Sequence, residues 1–140
     1  MPRGQQPRRL VPALVGAALA LVAGCGDGDS GEPIPAMLSA IQAQIFTPNC
    51  ASFSSCHGGG SPQQGMSLLA PAAGAVIGVA STEVPTLMRV APGEPDASYL
   101  LHKLERAMPA VGERMPPGQP LASNKIAAIR MWIAAGAHDD

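Results

Sequence analysis

This chain is short of large side chains and of charge. Only four of its 140 residues are aromatic (Phe46, Phe53, Tyr99 and Trp132), and charged residues make up 14%. So few rings leave a domain of this length without the bulk that usually completes an interior. A formal net charge of −1 excludes the basic field that draws a protein to nucleic acid. The sequence also has no glycine-rich phosphate loop, no G-x-S-x-G, no H-E-x-x-H and no clear pair of carboxylates, so no enzymatic constellation stands out. What is present is 46% hydrophobic residues, ordinary for a globular protein, together with 16 glycines and 15 prolines. That combination predicts one small domain with much of its length in loops.

Arg3, Arg8 and Arg9 precede an apolar run from Leu10 to Ala23. This is the pattern of a secretory signal, and at about fourteen residues the run is shorter than the ~20 needed for a spanning helix. It ends in Leu21-Val22-Ala23-Gly24-Cys25, which resembles the lipobox of bacterial lipoproteins. The resemblance implies removal of residues 1–24, lipidation of Cys25 and anchorage to a membrane of the cell envelope, on its periplasmic or extracellular side. Ordinary signal cleavage with Cys25 left free is the alternative. Processing would leave 6 basic and 10 acidic residues, a distinctly acidic chain. Residues 25–36 then read as a flexible tether and 37–137 as the folded domain.

Within that domain Met37, Ile41 and Ile45 recur every four residues, predicting a helix over 37–46 that Thr47-Pro48 ends. Residues 50–71 read as loop, and 72–90 as an apolar stretch with a short strand or helical turn near Val76–Val79. Asp96 and Ser98 are cap candidates for a helix carrying Leu100, Leu101 and Leu104. Residues 108–120 hold four prolines and read as irregular. Ser123 is a candidate cap for a last helix with Ile126, Ile129, Trp132 and Ile133 on one side and Gly136 at its left-handed end. Trp132 is expected to pack this helix against the first, and Met66, Met88 and Met131 to fill gaps in the core. His102 reads as a partly exposed helix residue and His138 as a solvated tail.

The chemistry gathers in Cys50-Ala-Ser-Phe-Ser-Ser-Cys56-His57-Gly-Gly-Gly and, 58 residues after His57, in Arg114-Met115-Pro116-Pro117-Gly118. A cysteine followed at once by histidine, with an earlier cysteine just past a helix, resembles the haem-attachment site of c-type cytochromes. With the Met-Pro loop ahead of the last helix, residues 37–137 resemble the class I type of bacterial exported monohaem cytochrome c. The resemblance implies a mostly α, cytochrome c-like domain of three to four short helices and long loops around haem c. It implies thioether attachment at Cys56, iron ligation by His57 and Met115, and one-electron transfer to transient redox partner proteins rather than catalysis. The usual spacing is C-x-x-C-H. Five residues lie between the cysteines here, so a thioether at Cys50 stays open, as does Met108 in place of Met115.

Other readings stand beside this one. Cys50 and Cys56 could pair as a disulfide in a haem-free lipoprotein binding or assembly module. A haem enzyme or sensor with Met115 off the iron is a third. Zinc lacks the second ligand pair that a structural site needs. Arg114 is either a partner for a haem propionate or an exposed loop residue.

Overall fold

The computed structural model describes Met1 and residues 31–106 and 109–140. The basic n-region, the apolar run, Cys25 and Met108 lie outside the described residues. The described chain is mostly helical: α1 (Leu38–Ile41), α2 (Ala73–Val76), α3 (Tyr99–Glu105) and α4 (Ser123–Ala134), with 3-10 turns at Gln63–Gly65 and Pro95–Ala97. Among the described residues β structure is limited to isolated bridges, Ile77 with Val90, Ala80 with Met88 and Met88 with Ser98. These stitch the 76–98 segment to itself without building a sheet, and α2 and the first bridge fall where the sequence suggested a turn or strand.

α1 does not stop at Thr47-Pro48 as the sequence predicted. It widens into a π-helical segment, Gln42–Cys50, that keeps Pro48 inside. A proline ring clashes with the carbonyl four residues back only in α geometry, and the wider turn moves that carbonyl aside. The segment closes with Ala51 N–H donating to Phe46 O, five residues back, at 2.9 Å. Ile41, Ile45 and Phe46 are thereby buried, and Asn49-Cys50 is carried to the end of the helix.

α4 follows its pattern. Ala128, Ile129, Trp132 and Ile133 are buried, and the helix packs on both α1 and α3. Ala122, not Ser123, occupies the cap position, a one-residue displacement. At the far end Gly136 has φ +107°, with Gly136 N–H on Ile133 O and Ala137 N–H on Trp132 O, the two bonds of a Schellman closure. Trp132 is 1% exposed and its indole Nε1 donates to His138 O at 2.9 Å. Ser98 holds the cap position of α3, but its hydroxyl turns back to donate to Glu94 O (2.9 Å) and accept from Ala91 N–H (2.9 Å).

The core runs from Ile34 to Ala137, so packing reaches back into the segment read as tether. Met66 packs against it as expected. Met88 and Met131 do not, being 46% and 52% exposed. Met131 lies on the side of α4 opposite Ile129 and Ile133, and Met88 sits on a bridge between two edges, so neither faces the core.

Candidate functional site

The end of the π-helical segment and the following loop fold back on each other. His57 N–H donates to Cys50 O at 3.1 Å, and Cys56 N–H donates to Phe53 O at 3.1 Å. The bond between residues 50 and 57 brings the two ends of the C-x5-C-H stretch together. Gly58 is buried against the Ala51 carbonyl, so close that a β-carbon has no room, which accounts for a glycine directly after the histidine. Residues 52–55 loop outward and are exposed, Phe53 by 69%.

His57 is fixed twice more. Its carbonyl accepts from Leu68 N–H at 2.7 Å, and its ring Nδ1 lies 3.0 Å from Met66 O. A carbonyl can only accept, so Nδ1 carries the proton in that bond and Nε2 is left as the nitrogen with a free lone pair. That is the arrangement in which an imidazole serves as a metal ligand through Nε2.

Cys50, Cys56, His57 and Met115 all line one cavity of about 360 Å³. Its walls include the apolar side chains of Met66, Leu68, Leu100, Leu104 and Pro116. The volume falls in the range of ~300–1,000 Å³ typical of cofactor and small-molecule sites. Met115 enters from the far side of the sequence, held by its N–H donating to Lys103 O at 2.7 Å. His102 does not join: its Nε2 is engaged 2.7 Å from Asp96 O. Among the described residues no three His, Cys, Asp or Glu side chains gather as a metal-holding group.

The polar lining of the cavity went unread in the sequence. Arg89, 8% exposed, spans two neutral carbonyls, Nη1 to Ala75 O and Nη2 to Gln64 O, each at 2.7 Å. It has no carboxylate partner among the described residues, and burial lowers its pKa from the usual arginine value. Lys103, also 8% exposed, pairs with Glu83 at 3.0 Å on the same wall. Tyr99 completes this edge, its phenol pushed up first by burial and then by the Glu83 charge. Arg89 and Glu83 sit in an apolar, glycine-rich stretch with no spacing that marks them. Only the rarity of charge between residues 72 and 98 could have drawn attention to them.

Arg114 stands elsewhere. It lines a separate hollow of about 510 Å³ made by the loop around Pro109–Gly118, with Pro116 and Pro117 between the two spaces. Its Nη2 reaches Gly118 O at 3.4 Å, and its Nε is buried without a partner among the described residues.

Cys50 is a half-buried thiol packed against the core. Desolvation pushes its pKa up to about 11, against a smaller lowering by the Lys125 ammonium and a further raising by Cys56. Lys125 is held nearby, donating to Asn49 Oδ1 at 2.8 Å. No helix among the described residues is long and apolar enough to cross a membrane. Comparison of the chain with family models, curated proteins and solved structures returns no match.

Proposed function

We propose that this chain is a c-type cytochrome of the cell envelope, tethered by a lipid on Cys25 and carrying single electrons between transient protein partners. One observation carries the reading. Cys50, Cys56, His57 and Met115, separated by up to 65 positions in sequence, line a single apolar-walled cavity in which His57 Nε2 is free. The donor set suits haem iron: an imidazole whose second nitrogen is already bonded, and a soft, neutral thioether that favours the ferrous state. Bound in this cavity, haem supplies an iron that alternates between ferric and ferrous forms. Cys56 would tether the group through its sulfur, and Cys50, on the same cavity, would supply the second tether. The leucine and methionine walls would exclude water, and the Arg89 guanidinium, with no carboxylate partner among the described residues, would meet the group's carboxylates, the role the sequence had offered to Arg114. Ligation by both His57 and Met115 would leave the iron no open position, which favours electron carriage over oxygen chemistry.

The test is expression with a cytochrome maturation system, a denaturing gel stained for haem, and a pyridine haemochrome spectrum. Covalent haem in the wild type and none in Cys56→Ser is the expected result. The band position distinguishes one thioether from two. A protein without covalent haem that has lost two titratable thiols would instead be the disulfide-bonded, cofactor-free module. In the structure Cys50 and Cys56 are separate free thiols that line the same cavity. Uptake of a radiolabelled lipid precursor, abolished in Cys25→Ala, tests the anchor.

A further inference from the structure

Residues 109–122 contain no helix or strand, so the segment carrying Met115 is held by contacts to other parts of the chain. Two of these come from α3. Tyr99 and Lys103 stand four residues apart and leave the same side of the helix. Both end on Val111. Lys103 Nζ donates to Val111 O at 3.0 Å, and Tyr99 Oη donates to the same oxygen at 3.1 Å while accepting from Val111 N–H at 3.3 Å. Lys103 Nζ also donates to Glu83 Oε2 at 3.0 Å. Four residues after Val111, Met115 N–H returns to the Lys103 carbonyl at 2.7 Å. Gly112 lies directly on this cluster. Its φ is +66°, and a β-carbon there would come within 3.1 Å of Lys103 Nζ and 3.3 Å of Glu83 Oε1.

We propose that Tyr99 and Lys103, with Glu83 behind them, form a clasp that sets the position of the Met115 sulfur in the cavity. The inference rests on the reading of Met115 as an axial ligand. A methionine side chain has three rotatable bonds and a weakly held neutral sulfur, so its presence at a fixed point depends on how firmly its backbone is pinned. The loop is pinned at two points, Val111 and Met115, and both lead to Lys103. Glu83 compensates the ammonium, which would otherwise be a buried charge facing one neutral carbonyl. Tyr99 and Lys103 are thus positioning residues; neither is needed to touch the iron.

The test compares wild type, Tyr99→Phe and Lys103→Met, each keeping the backbone carbonyl that receives Met115. Hydrogen exchange is followed at Val111 and Met115, before and after haem loading, beside the methionine-to-iron charge-transfer band of the oxidised protein. Each variant removes two hydrogen bonds from the clasp, and either should speed exchange at both amides ~5–10-fold while α4 amides are unchanged. The band should also melt below the temperature at which helical circular dichroism is lost. Unchanged exchange in both variants overturns the clasp. Faster exchange with an unaltered band overturns its role in positioning Met115. A wild type that takes up no haem sinks the cytochrome reading, yet the exchange data still judge the clasp. Should Lys103→Met fail to fold, the double variant Glu83→Gln/Lys103→Met removes the stranded carboxylate and carries the same comparison.

Discussion

His57 Nδ1 lies 3.0 Å from the carbonyl oxygen of Met66, nine residues further along the chain and on the same cavity wall. This bond decides which ring nitrogen is available. Long-range nitrogen–proton correlation spectra of the haem-free protein, recorded with the imidazole neutral, should show Nδ1 protonated and Nε2 bare. The opposite tautomer would remove the argument for ligation through Nε2. In the loaded protein His57→Ala should abolish the low-spin spectrum.

Burial of the Cys50 thiol leads to a pH-dependent reactivity. With its pKa pushed up to about 11, alkylation of Cys50 in the haem-free chain should keep accelerating beyond pH 9, where an ordinary thiol is already levelling off. Replacing Lys125 with Met should slow it further, because the ammonium opposes the shift. The folded chain holds a proton that the unfolded chain releases at lower pH. Stability owed to this thiol is therefore complete below about pH 9 and declines as the pH climbs toward 11. Mass spectrometry of a pH series of iodoacetamide pulses reads the rates, and a plateau by pH 9 contradicts the burial argument.

Arg89 offers a test of what the cavity accepts. A guanidinium held by two carbonyls, with no carboxylate partner among the described residues, should favour a ligand with acidic edges. The haem-free protein should bind a porphyrin dicarboxylic acid more tightly than its dimethyl ester. Arg89→Met should narrow that preference roughly 10- to 100-fold, in keeping with ~1.5–3 kcal/mol for a charged hydrogen bond. Fluorescence titration gives both constants, and equal affinity for acid and ester in the wild type would argue against an anion at this wall.

The first helix is closed by a distant residue. Leu38 N–H donates to Asp140 Oδ1 at 2.8 Å, across 102 positions. Asp140→Ala should cost about 1 kcal/mol, and Asp140→Asn, which keeps an acceptor oxygen, should recover most of it. Thermal or urea denaturation of the three proteins measures the difference; equal midpoints would mean the bond contributes nothing.

The sequence was readable where local geometry obeys local rules. The apolar spacing of Ile129, Trp132 and Ile133 and the glycine at 136 gave α4 its buried side and its end, and the structure has both. The four cavity residues singled out in the sequence also line one space, because the Cys-His turn and the Met-Pro loop each carry their own signature. Reading failed at Pro48, where the rule that proline ends a helix assumes α geometry and the chain adopts a wider one. It failed again at Glu83, Arg89, Tyr99 and Lys103. Each has an ordinary neighbourhood in sequence, and their common meaning arises only when three separated segments meet.

The contact between Ala51 and Gly58 bears on how this site tolerates change. Because backbone bonding joins residues 50 and 57 beneath it, the stretch from Ser52 to Ser54 is an outward excursion, and Ser55, where it returns, is the first of these residues to line the cavity. The unusual sequence distance between the two cysteines therefore reflects a surface detour whose ends are joined by the bond from His57 N–H to the Cys50 carbonyl. Lineages of such a chain could lengthen or shorten the detour while the inner wall kept its shape. A site of this construction lets spacing drift where a fixed linear signature would forbid it.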